Sequence, residues 1–128
     1  MLTWDLEDWI TDVGADLVEK RCANASNFTT MESAVYEIWL LDTEARNGGV
    51  SQYFCNHGLQ QWAACQTAAV AVGLSSFHAF SDALNAIIGT AQDPYEVIRA
   101  QGDPAEDLWY SYQSAVVQEL RGLYPNAL

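Results

Sequence analysis

Residues 44–58 read EARNGGVSQYFCNHG. Upstream, Met31, Val35, Ile38, Trp39 and Ala45 recur at helical spacing. Glycine enters the left-handed conformation that ends a helix without a Cβ clash. Asn47-Gly48-Gly49 therefore predicts the end of one helix, Val50 to Cys55 a short second one, and Asn56 to Gly58 its close. A helix that stops and restarts within two residues leaves orphan carbonyls on one side and orphan N–H groups on the other. Glu44, Asn47, Gln52 and Asn56 are placed to satisfy them, while Tyr53 and Phe54 carry the turn into the core, where polar groups need partners. On this reading the stretch is a corner between helices.

The helical pattern continues in both directions. Before the corner, Thr29-x-x-Glu32 is a capping box, and Asn24 to Asn27 reads as a loop. Earlier still, Leu2, Leu6, Trp9, Ile10, Val13 and Leu17 mark an amphipathic first helix. Lys20 and Arg21 fall in its last turn, where cations suit the dipole. After the corner, Trp62, Ala63, Cys65, Ala69 and Val70 predict a buried face over Leu59 to Val72, stopped by Gly73. Phe77, Phe80, Leu84, Ile87 and Ile88 predict a helix from Ser75 or Ser76 to Gly89. Asp93-Pro94 and Asp103-Pro104 each read as an aspartate N-cap followed by proline at the first helical position. Pro125 marks the frayed end. No hairpin signal or repeat interrupts this, so the expected fold is all-α: residues 1–128 as a single compact domain of six or seven helices.

Composition agrees. The chain has 128 residues, half of them hydrophobic and five of them tryptophan, which suits one domain with its own core. No apolar run approaches a membrane span, and the start, MLTWDLEDW, lacks the basic and apolar regions of a signal peptide. Cys22, Cys55 and Cys65 are an odd number at scattered spacings, so they read as reduced thiols, mostly buried, in a cytoplasmic protein. Seventeen acids against five bases give a net charge of −12. That disfavours nucleic acid and anionic membranes as direct partners, since both need Lys and Arg. It favours a basic partner. The acid is uneven: residues 1–44 hold ten acids and two bases, residues 45–81 no acid and one base, and residues 82–128 seven acids and two bases.

Asp5, Asp8, Asp12, Asp16 and Glu19 follow one another at steps of three or four. At 100° per residue they occupy a strip about 80° wide along roughly 21 Å of helix. A DNA strand carries about six phosphates in that length. The first helical turn explains acids near a helix start, and a solvated face explains acids in general. The dipole does not reach Asp12, Asp16 and Glu19, which lie beyond that turn, while a solvated face remains the alternative to a binding surface. Asp103, Glu106 and Asp107 extend the acidity elsewhere. Chemistry finds less support. His57 and His78 are the only histidines, with no HExxH spacing, no CxxC and no phosphate loop. A metal held by Asp42, Glu44 and His57, or a ligand held by Glu44, Asn47, Gln52, Asn56 and His57, is a minor reading. No catalytic residue, metal or cofactor is expected.

Glu44-x-x-Asn47-Gly48-Gly49-x-x-Gln52-Tyr53-Phe54-x-Asn56-x-Gly58 also resembles the signature of the bacterial DNA-mimic protein (DMP) family's C-terminal domain. Val35-Tyr36-x-x-Trp39-x-x-Asp42 and Ala86-Ile87-Ile88-Gly89 are similar too, so the resemblance spans roughly residues 30–100. Val50 departs from the aromatic expected after the two glycines, and His57 stands where small or polar residues are common. The resemblance implies an all-helical, acidic, dimeric protein of a family whose founding member imitates double-stranded DNA at the DNA-binding face of a helix-turn-helix repressor. Surface acids lie outside the motif and are not carried over by it.

Residues and resemblance together lead to one expectation: a non-enzymatic inhibitor that presents Asp5, Asp8, Asp12, Asp16 and Glu19 to a basic DNA- or RNA-binding protein. An immunity protein that neutralises a basic toxin is the rival. The motif residues serve as scaffold.

Overall fold

A computed structural model describes residues 2–23 and 28–124. The expected loop at Asn24 to Asn27 and the expected end at Pro125 lie outside them. The described residues form seven helices and no strand: α1 (Trp4–Ala23), α2 (Thr30–Gly48), α3 (Val50–Ala71), α4 (Ser75–Ile88), α5 (Pro94–Gln101), α6 (Asp103–Glu106) and α7 (Leu108–Leu123). The sixth is a single turn. Among these residues no helix is long and apolar enough to cross a membrane.

The core follows the periodicity. Ile10, Val13 and Leu17 of α1 are buried, with Val35, Ile38 and Leu41 of α2 against them. α2 is the central packing element, meeting α1, α3 and α7, while α4 lies on α7. An aromatic column ties α3, α4 and α7 together. Trp62 meets Phe80 edge-on at 6.0 Å between ring centres, and Phe80 meets Trp109 at 4.9 Å. The Trp62 indole N–H donates to Asn85 Oδ1 at 2.9 Å, which pairs its one polar atom. Gly14 is buried where α1 crosses α2, and a Cβ there would collide with the Trp39 ring. That close approach is invisible to hydrophobic periodicity.

Four local expectations need correction. Ala63 and Val70 are exposed, Val70 at 77%, because at 100° per residue they lie about 80–100° around the helix from Trp62, while Cys65 and Ala69 lie on its other side. Gly102, not Asp103, precedes the first turn of α6: its carbonyl accepts from the Ala105 and Glu106 N–H groups. Neither Asp93 nor Asp103 makes a side-chain cap bond. Of the cysteines only Cys65 is buried, while Cys22 and Cys55 are exposed.

The capping box forms as read. Thr29 Oγ1 accepts from the Glu32 N–H at 3.1 Å, and Glu32 Oε1 accepts from the Thr29 N–H at 2.9 Å. Glu32 also receives the Lys20 ammonium at 2.7 Å. The Lys20 bond, then the Thr29 N–H, hold the Glu32 carboxyl below its ordinary 4.5. Bonds from the Ser76 hydroxyl and N–H lower Glu119 in the same way. A carboxyl depressed by folding contributes stability above its unfolded value and loses it as pH falls through the lower folded value. Glu37 runs the other way. Burial raises it, although Gln61 donates to both its oxygens at 2.7 and 2.9 Å, so its contribution fades as pH rises. Glu32→Gln keeps the capping box and removes the ion pair. It should cost about 0.5–1 kcal/mol at pH 7, and the difference from wild type should shrink as pH falls below the ordinary 4.5 and through the lowered Glu32 value. Urea melts of both proteins at neutral and at acid pH check this.

Candidate functional site

The first helix presents its acids outward. Asp5, Asp8, Asp12, Asp16 and Glu19 are all exposed, on the side of α1 opposite Ile10, Val13 and Leu17. Asp5 is the exception in its bonding, because Arg121 of α7 donates to its Oδ2 at 2.7 Å. The bases of α1's last turn serve other groups: Lys20 reaches Glu32, and the Arg21 guanidinium lies 4.9 Å from the centre of the Tyr36 ring. The sixth acid of α1, Glu7, is taken by Arg46 at 3.1 Å. Among the described residues, Asp8, Asp12, Asp16 and Glu19 have no ion pair and no side-chain hydrogen bond.

Most other acids are used internally. Asp42 is fully buried. Its Oδ1 accepts from the Trp109 indole at 2.9 Å and from Gln113 at 2.6 Å, and Arg46 Nε lies 2.9 Å from its Oδ2. Arg46 continues to Glu7, so this network joins α1, α2 and α7. Asp103 and Asp107 are exposed, as the extension of the acidic surface requires. Glu106 is not part of such a surface. It is half-buried, and its Oε2 accepts from the Ser51 hydroxyl at 2.9 Å and the Ser51 N–H at 3.4 Å.

That bond changes the account of the corner. Only Gly49 stands between α2 and α3, with φ +86° and ψ 172°, and its N–H donates to Ala45 O at 2.8 Å. A Cβ at Gly49 would collide with Glu106 Oε2, and one at Gly48 with Gln52 Oε1. The orphan N–H at the start of α3 is therefore met by a carboxylate 55 residues away, which the glycine lets approach. Glu44, Gln52 and Asn56 do something else than the backbone pairing expected of them. Glu44 accepts from Gln52 at 3.3 Å and from Asn56 at 2.6 Å, and His57 Nε2 lies 3.0 Å from it. They pair with one another, and the break is met by Glu106 of α6. Asn47 is exposed. Tyr53 and Phe54 are buried as expected, and Gly58, at φ +77°, breaks α3 where the stretch was read to close. Burial foremost, then Cys65 and Glu37, push the Tyr53 phenol up, which keeps it neutral.

Gly49→Ala should cost about 1–3 kcal/mol, since its φ and ψ lie where only glycine is unstrained. Because the new Cβ also displaces Glu106, the effect should fall short of additive with Glu106→Ala. Denaturant melts of the two single variants and the double variant measure both statements.

For chemistry, Glu44 is occupied by its three neighbours and Asp42 by Trp109, Gln113 and Arg46. Among the described residues no group of three His, Cys, Asp or Glu side chains is arranged to hold a metal. An open groove of about 380 Å³ beside the corner is lined by Gly48, Gln52, Cys55, Asn56, Tyr95 and Arg99.

With this scaffold laid out, comparison with known proteins is direct. A family model described as DMP19-like protein matches residues 26–124. The chain belongs to the DMP19-like family. No curated protein matches it, and no solved structure does. The DMP19-like match takes in α2 to α7, with the Gly49 corner and with Asp42, Arg46, Trp109 and Gln113, and starts after α1. The acidic stripe of this DMP19-like chain lies outside the matched residues, so family membership speaks for the scaffold that holds α1.

Proposed function

We propose that this protein is a non-enzymatic, cytoplasmic inhibitor that occupies the DNA- or RNA-binding surface of a basic protein, as a DNA mimic. The observation that carries the reading is the set of exposed carboxylates on α1, four of them unpaired among the described residues. Membership of the DMP19-like family supports it at the level of the scaffold. A surface that replaces phosphates must hold its charges rigidly and leave them free. α1 satisfies both conditions, because its inner face is locked in the core and the nearby Lys20 and Arg21 are engaged elsewhere. Binding would draw on counterion release from the partner and on desolvated charge pairs, so affinity falls steeply with salt. Val70 stands exposed beside Ala69, Gly73 and Leu74, an apolar patch that supports a homodimer through that face.

The test is affinity capture from the source cell at low salt, eluted by a salt gradient. The expected result is a basic protein that releases DNA or RNA when the purified chain is added. A captured toxin whose activity the chain blocks would move the reading to immunity. If no salt-eluted partner loses its nucleic acid to the chain, the mimic reading fails.

A further inference from the structure

Trp4 is 86% exposed, on the first turn of α1. Of the other tryptophans, Trp62 and Trp109 are buried, and Trp9 and Trp39 pack against the core. An indole is the largest apolar surface a residue can offer, and here no contact within the described residues covers it. It also has a defined setting. On a helix, Trp4 and Asp8 are neighbours one turn apart, offset by about 40° around the axis and about 6 Å along it. Both are exposed. Asp5, next in sequence, already holds the Arg121 guanidinium at 2.7 Å, so this end of the stripe has the geometry to bind a guanidinium.

Given the acidic-surface reading of α1, on which this inference rests, the geometry points to a recognition site for an arginine side chain of the partner at Trp4 and Asp8. The planar guanidinium lies on the face of the indole and directs its N–H edge at the Asp8 carboxylate. Trp is the strongest aromatic face for a cation. Arginine suits it better than lysine, because a guanidinium stacks, donates through a rigid fork and gives up water readily, whereas an ammonium is a strongly hydrated point charge. Tryptophan and arginine are also the residues most enriched where interfaces concentrate their energy. The stripe from Asp12 to Glu19 would attract any cation. Trp4 with Asp8 selects which one.

The test titrates the isotope-labelled protein at low salt with an eight-residue arginine peptide and with an eight-residue lysine peptide. NMR follows the indole N–H signals, the Trp4 signal being assigned from Trp4→Ala. The expected result is binding of both peptides, about fivefold tighter for arginine, with the largest shift at the Trp4 indole. Trp4→Ala should remove the preference by weakening the arginine peptide much more than the lysine peptide. Its exposure makes an effect on folding small, and its urea midpoint is measured alongside. Equal affinity for the two peptides with an unmoved Trp4 indole overturns the inference and leaves the acidic-surface reading standing. Equal weakening of both peptides by Trp4→Ala also overturns it, since the indole then serves as general apolar contact. If neither peptide binds the wild type, the acidic-surface reading falls and the inference falls with it.

Discussion

Asp8→Lys, Asp12→Lys and Asp16→Lys introduced together should abolish partner capture without unfolding the protein. The three side chains are exposed and make no ion pair among the described residues, so each substitution removes no contact from the fold. Surface changes of this kind usually move stability by about 0.5 kcal/mol or less. The three lysines keep like charges at four-residue spacing, at a few tenths of a kcal/mol per pair, while Asp5 and Glu19 gain opposite charges three residues away, so the helix itself changes little. Binding is affected in the opposite sense and far more strongly. Where a partner's basic surface expected three carboxylates it meets three ammonium groups, and like charges juxtaposed in an interface cost several kcal/mol. The expected loss is about 100-fold or greater at low salt, with the salt dependence of what remains flattened. Titration calorimetry against the captured partner measures it, and a urea melt of the triple variant controls for folding. If the variant binds like wild type, the stripe is a solvated helix face and the function lies elsewhere.

Asp42→Ala should be the most damaging single substitution for the fold, at about 3–5 kcal/mol. The carboxylate is fully buried and receives Trp109, Gln113 and Arg46. Its removal strands two buried N–H donors and a partly buried cation at the junction of α1, α2 and α7. A buried donor left alone incurs its full desolvation penalty. Domains of this size are stable by only about 5–15 kcal/mol, so the variant should be largely unfolded or melt at much lower denaturant. Asp42→Asn retains an oxygen for Trp109 and Gln113 and should recover part of the loss, because Arg46 keeps Glu7. Guanidinium melts of the three proteins decide this. A loss below about 1 kcal/mol for Asp42→Ala would mean that the network contributes little beyond packing.

These two sites were legible to different degrees. The stripe could be read from spacing, because helical periodicity converts steps of three and four into one face whatever the rest of the chain does. The role of Asp42 could not. It was visible only as a position in a family-like pattern and as one member of a rejected metal site, since its partners Trp109 and Gln113 lie 67 and 71 residues away. Glu106 was misread for the same reason. By composition it is one more acid near Asp103 and Asp107, and only the packing of α6 on the start of α3 turns it into a cap.

What amino-acid order determined was local: the all-helical class, the Thr29–Glu32 capping box, the breaks at Gly49 and Gly58, most of the buried stripes and the outward edge of acids. Each depends on residues within one or two turns, where propensity, capping and periodicity act. Tertiary packing decided which acids are free and which are structural, that Gly14 must admit the Trp39 ring, and that Trp4 stays outside while four other tryptophans pack within. Those outcomes depend on which helix faces meet. Contacts tens of residues apart leave no periodic trace in the chain, yet they decide whether a carboxylate ends in water or against a buried N–H.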